Sequence, residues 1–305
     1  MNTRDNKLSR RTFVGSMAGI GAGMSIAREA AAEAKYDAGS PVFEHTTPGI
    51  IDIHTHFSSD MDSKAHLEAT KTSDKTVVFG GTDNDAVKAQ VDLAPDRLIF
   101  FTRIYPDKKG FMDELERTHQ DLGAKGIKLG PVYCQVHPLE YRHRQIYAYA
   151  EKHNLPILTH MAETPSRSGP LEYARPIHMD SAAMDYPDLK IILAHMGHPW
   201  IGETISIVRR QPNVYADISA LYYRPFQFYS AIRLAIEYSD RPTVQKLFFG
   251  SDYMGGSTGR FIPQVAVDGV RNMNHIVGEA GFPKIPEEII NNILHNDSLS
   301  ILGIS

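Results

Sequence analysis

The stretch Ile51-Asp52-Ile53-His54-Thr55-His56-Phe57 decides how this chain is read. In a β-strand, residues i and i+2 point to the same face, so His54 and His56 can hold one ion between them. Taken alone, such a pair is equally two ordinary histidines near a strand end. The rest of the chain separates these readings. His160 in ILTH, His195 in IILAH and Asp252 in FFGSD each sit at the C-terminal end of another short apolar run. Five residues of metal-ligand type thus gather at the equivalent ends of four runs.

Working outward, β-rich runs recur near residues 49–56, 76–80, 97–104, 126–130, 155–160, 190–195, 213–219 and 246–252, which makes eight. Helix-like segments lie between them at 84–93, 109–122, 139–153, 176–184, 201–210 and 225–238, and a final helix is expected over 286–304. Strict alternation implies parallel strands with right-handed crossovers, and eight units imply a closed (β/α)8 TIM barrel of the α/β class. Parity within the strands agrees. Asp52, His54 and His56 share one face of the first strand; Gly126, Lys128 and Gly130 share one face of the fourth; Tyr215, Asp217 and Ser219 share one face of the seventh, opposite Val214, Ala216 and Ile218. In a barrel the helix-facing set is apolar and polar residues gather at the C-terminal mouth.

The N-terminus has a different character. Ser9-Arg10-Arg11-Thr12-Phe13 precedes a Gly/Ala-rich run from Val14 to Ala27 and small residues up to Ala34. This order reads as a twin-arginine export signal over residues 1–34, leaving a single barrel domain over 35–305. The run is too short and too Gly-rich for a stable membrane span. The expected partners are the export machinery and a small-molecule substrate, and the expected location is periplasmic or secreted. The segment carries five basic and three acidic residues, so its removal takes the formal net charge from −4 to −6. An acidic mature protein without a basic run has no electrostatic footprint for nucleic acid. Cys134 is the only cysteine, which excludes an intramolecular disulfide. Nothing in the sequence names a homo-oligomer interface.

In (β/α)8 enzymes the reacting groups come from several strand ends at the C-terminal face. His54, His56, His160 and Asp252 converge there as three imidazoles and one carboxylate, a donor set that suits one divalent ion, Zn²⁺ first, with Mn²⁺ or Fe²⁺ compatible with the same ligand types. Asp252 can also take a proton from water and pass it on, and its alternative role is to cap the following helix. Arg103, Lys128 and Arg224 form a cationic rim that favours a carboxylate-bearing substrate, with Tyr222 and Tyr223 overhanging the mouth.

Six pieces, IIDIHTHF, GIKLGP, LPILTHMAE, IILAHMGHPW, PNVYADIS and LFFGSDY, occur in the order seen in the amidohydrolase superfamily. The chain resembles its amidohydrolase-related branch, the aminocarboxymuconate-semialdehyde decarboxylase-like enzymes and several lactone hydrolases, from about Gly49 to the C-terminal helix. The resemblance implies that His54, His56, His160 and Asp252 are ligands and that His195 stays off the metal, orienting water or substrate. It leaves Lys128 open. In binuclear relatives a fourth-strand lysine is carboxylated and bridges two ions, with the sixth-strand histidine serving the second; an unmodified Lys128 pairs instead with a substrate carboxylate, polarises a carbonyl, or forms a structural ion pair. His198 reads as a supporting or a solvated loop residue, and His178 as part of a surface or substrate loop. The functional expectation is hydrolysis of a lactone, ester or amide by metal-activated water, with Asp252 and His195 catalytic. The alternative is non-oxidative decarboxylation of an unsaturated or aromatic acid, and a non-catalytic binding protein is a third class.

Overall fold

A computed structural model describes residues 45–238, 243–256 and 261–304. The expected export signal over residues 1–34 lies outside these residues. Eight parallel strands, β1 (Ile51–His56), β2 (Lys75–Phe79), β3 (Leu98–Arg103), β4 (Gly126–Leu129), β5 (Ile157–Thr159), β6 (Ile191–Leu193), β7 (Val214–Asp217) and β8 (Leu247–Phe248), pair in sequence order. The ring closes through the segment after β8: Ile53 N donates to Phe249 O at 3.1 Å, Asp252 N to His54 O at 2.8 Å and His56 N to Tyr253 O at 2.7 Å. The seam that completes the barrel is therefore the stretch that carries Asp252. Asp52 supports it, because its Oδ1 accepts from the backbone N–H groups of both His54 and Ser251 at 3.0 Å.

The helices are α1 (Ser63–Ala69), α2 (Asn84–Asp92), α3 (Phe111–Gln120), α4 (Pro131–Cys134), α5 (Tyr141–Lys152), α6 (His178–Asp185), α7 (Ile201–Arg210), α8 (Pro225–Glu237), α9 (Pro263–Arg271), α10 (Met273–Glu279), α11 (Glu287–His295) and α12 (Ser298–Leu302). Asp62 and Asp83 cap α1 and α2 by accepting from Ala65 N and Ala86 N, which satisfies an amide that has no partner inside the helix. α7 buries Thr204, Ile205, Ile207 and Val208 as one stripe and ends on Arg209 and Arg210, which suit the negative end of the helix dipole. The single helix expected over 286–304 is two. The chain turns extended at Asn296, and Asp297 restarts it by accepting from Ser300 N. Helices α1, α4, α9 and α10 were not among the expected segments. Among the described residues no helix is long and apolar enough to cross a membrane.

Val77, Phe79, Phe101, Leu158, Ile192 and Phe248 form one buried cluster with Leu299 and Leu302 of α12. α12 lies at the N-terminal end of the strands, where Gly303 comes beside Lys190. Gly126 is required by this packing, since a Cβ there would lie 2.3 Å from the Phe101 ring. Truncating such a buried phenylalanine to alanine costs about 3–5 kcal/mol. The apolar end holds the ring shut and leaves the polar residues to the opposite mouth.

Candidate active site

Polar side chains collect where the strands end, and the backbone there is unusual. His195 (φ 58°), Met196 (φ 47°), Ala220 (φ 59°) and Asp252 (φ 57°) are left-handed without being glycine, and they follow β6, β7 and β8. Such conformations cost about 1–3 kcal/mol each and gather at functional sites. At Asp252 the turn aims the carboxylate back at the first strand. Its Oδ1 lies 3.2 Å from Nε2 of His54 and 3.2 Å from Nε2 of His56. Gly250 permits the approach, because a Cβ there would sit 2.8 Å from Cβ of His54.

The position of one proton defines what this cluster can hold. Asp217, at the end of β7, is fully buried, and its Oδ2 lies 2.7 Å from Nδ1 of His54. Burial pushes the Asp217 carboxyl up, but His54 and His195 beside it and the hydrogen bonds from His54 and Ser219 hold it well below the usual carboxylate range. It is therefore an acceptor, and Nδ1 of His54 carries the hydrogen. Burial, with the Lys128 charge nearby, holds His54 down at about 3, so the ring is neutral and Nε2 presents a lone pair. Asp252 is likewise ionised: burial pushes it up, while His195, His56 and His54 hold it well below its ordinary value. A lone pair and a carboxylate thus face each other at 3.2 Å with no proton of His54 between them, an arrangement that calls for a cation. The two 3.2 Å separations match the edge of about 3.3 Å in a tetrahedron with 2.0–2.1 Å bonds, so this donor set fits a divalent ion.

Lys128 Nζ stands 3.2 Å from the same His54 Nε2 and 4.7 Å above the Phe79 ring, with burial lowering its pKa to about 7. His160, expected as a fourth ligand, stands further round the ring, after the strand opposite β1. The mutually close donors, within 4.8 Å, are His54, His56 and Asp252, and His160 is not among them. Its Nδ1 faces Nε2 of His195 at 3.2 Å and its Nε2 faces the Tyr133 hydroxyl at 3.4 Å. A second close group, His54, His195 and Asp217, consists of atoms joined by hydrogen bonds around Ser219. Arg103 donates to Gly80 O at 3.3 Å, and its guanidinium lies 5.1 Å and 5.8 Å from the Tyr105 and Tyr133 ring centres. Arg224 lies over Tyr223 and donates to Ala220 O. Tyr222 does not overhang the mouth: it is buried, with its hydroxyl donated to Ser251 O at 2.7 Å, because the short turn after β7 folds it beneath the seam.

An amidohydrolase family model matches residues 57–270. The chain belongs to the amidohydrolase family. Among solved structures, this amidohydrolase is similar to an uncharacterized TIM-barrel protein from Bordetella bronchiseptica, at 18% identity over 83% of this chain and 98% of that one, with a TM-score of 0.63. It is similar also to a probable 2-pyrone-4,6-dicarboxylic acid hydrolase from Acinetobacter baumannii, at 16% identity over 84% and 99% of the two chains and a TM-score of 0.60. A dihydroxybenzoic acid decarboxylase from Polaromonas sp. JS666 with bound manganese shares 15% identity over 84% and 97%, with a TM-score of 0.59. At these identities the likeness shows the fold. Comparison with curated proteins finds no match.

Asp217, Ser219 and Tyr133 touch the mouth histidines of this amidohydrolase, and the sequence analysis assigns them no role. Strand parity already placed Asp217 and Ser219 on the inner face of the seventh strand, and that was the available signal. A further cluster lies on the rim. His137 follows α4, Glu172 lies in the turn before α6, and His178 opens α6. The Nε2 atoms of both histidines stand 3.6 Å from Glu172 Oε1. His137 Nδ1 accepts the Leu139 backbone N–H at 3.1 Å, so in its neutral form the ring carries hydrogen on Nε2 and donates it toward the glutamate. Nε2 of His178 likewise faces Glu172 O at 3.0 Å as a donor. In this tautomer neither Nε2 offers a lone pair at Glu172 Oε1.

Proposed function

We propose that this amidohydrolase is a metal-dependent hydrolase of a lactone, ester or amide bond in a small carboxylate-bearing substrate. The observation that carries this reading is the Asp252 carboxylate held 3.2 Å from the inward lone pair of His54. A divalent ion bound by His54, His56 and Asp252, and by His160 if its ring turns inward, supplies a Lewis acid for the carbonyl and lowers the pKa of water. Zn²⁺ suits the donor set best, and Mn²⁺ takes the same ligands. Asp252 takes the proton from the attacking water and returns it to the leaving group. His195 orients that water. Lys128 and Arg103 bind the substrate carboxylate, Lys128 from the barrel wall and Arg103 from the rim where Tyr105 and Tyr133 hold its plane.

The test is an assay of the zinc- and manganese-loaded protein on lactones and hydroxybenzoates, with acid production and CO₂ followed together. Acid without CO₂ is expected. CO₂ from hydroxybenzoates with no activity on lactones would replace hydrolysis by decarboxylation. Elemental analysis should give about one ion per chain, as expected for one mononuclear site. Two ions, both lost in Lys128→Ala, would make Lys128 a bridging ligand instead.

A further inference from the structure

Beyond the mouth's inner donors lies a group whose only visible task is to place hydrogens. Asp217 receives four: His54 Nδ1–H on Oδ2, and the His195 backbone N–H (2.9 Å), the Ser219 backbone N–H (3.0 Å) and the Ser219 hydroxyl on Oδ1. Because that carboxylate can only accept, the Ser219 hydroxyl must donate to it. Ser219 Oγ is then left as an acceptor, and two ring nitrogens reach it: His54 Nδ1 at 3.2 Å, whose hydrogen goes to the nearer Asp217 Oδ2 at 2.7 Å, and His195 Nδ1 at 2.8 Å. The Ser219 carbonyl, which also only accepts, lies 3.3 Å from the same nitrogen. His195 in its neutral form therefore holds hydrogen on Nδ1 and a lone pair on Nε2.

We infer that Asp217 and Ser219 are positioning residues that give His54 and His195 one polarity, with N–H outward and the Nε2 lone pair into the mouth, and so make Nε2 of His195 a hydrogen-bond acceptor. One carboxylate sets both rings, the first directly and the second through a hydroxyl. Orientation of a functional imidazole by a partner at its other nitrogen is a general device. Here it couples a ligand to the group that serves the water. Nε2 of His195 faces His160 Nδ1 at 3.2 Å. The service to water rests on the hydrolytic reading, whereas the tautomer does not.

The tautomer is measured directly by nitrogen NMR of metal-free protein labelled with [¹⁵N]histidine, with the His195 signals assigned by their loss in His195→Gln. A protonated Nδ1 and a bare Nε2 are expected in the unaltered protein. Ser219→Ala removes the 2.8 Å acceptor and leaves only the longer carbonyl contact, so it should shift His195 toward the Nε2–H form, and Ser219→Thr should restore Nδ1–H. Hydrogen on Nε2 of His195 in the unaltered protein, or an unchanged tautomer in Ser219→Ala, would overturn the inference. If Ser219→Ala does not fold, the unaltered protein still decides. Since no turnover is measured, failure on every lactone would count against the hydrolytic reading and leave this result standing.

Discussion

Among the described residues, histidines gather around a carboxylate both at the mouth and on the rim, and the two places differ in what the rings aim at the centre. At the mouth, His54 and Asp217 are buried, and the carboxylate behind the ring draws hydrogen to Nδ1, so the lone pair of Nε2 points inward at Asp252. On the rim, His137 and His178 reach Glu172 with similar spacing, but a backbone amide takes the far nitrogen of His137 and turns its hydrogen toward the glutamate. Glu172 is also 61% exposed, and an ion pair in such a setting contributes at most about 1 kcal/mol. Residue type and proximity are alike in the two places. The partner on the other side of the ring makes the difference, because it decides whether a lone pair or a hydrogen faces the centre.

Four measurements break or sharpen this contrast, beginning with the largest effect. Asp252→Asn keeps the shape but removes the proton acceptor, so turnover should fall by about 10²–10⁴-fold even in metal-loaded protein. Near-normal turnover in a loaded sample would mean that Asp252 is not the base. His195→Ala should lower turnover by roughly 10²-fold, since it removes a group that serves the water, while metal content stays unchanged; loss of the ion would instead make His195 a ligand. Asp217→Asn sets an amide against the His54 ring and favours hydrogen on the inward nitrogen, so metal affinity should drop by about 10–100-fold, read by equilibrium dialysis. Unchanged affinity would remove the distinction drawn between the two clusters. Glu172→Gln on the rim should leave metal content alone and change unfolding free energy by no more than about 0.5 kcal/mol in a denaturant titration. An ion lost from that variant would make the rim a metal site.

Much of the frame was legible in the chain itself. Period-two parity named the inner faces of β1, β4 and β7, and short apolar runs ending in His160, His195 and Asp252 located the mouth, because a strand's side chains alternate whatever surrounds them. Strand ends were less legible. β5, β6 and β8 stop before His160, His195 and Asp252, and at His195 and Asp252 the backbone is left-handed. Loop residues were least legible: Tyr222 has no periodicity to betray that its hydroxyl supports Ser251.

The sequence alone thus determined the barrel, its polar end and the residue types gathered there, all of which follow from local periodicity and order. Only the tertiary structure decided which atoms meet and which carry hydrogen. Asp217 and His54 are 163 residues apart, and their 2.7 Å contact exists only because the seam after β8 closes the ring and leaves a single strand between β1 and β7. A hydrogen-bond partner so distant leaves no trace in local pattern, yet it determines whether His54 offers a lone pair or a proton to the centre.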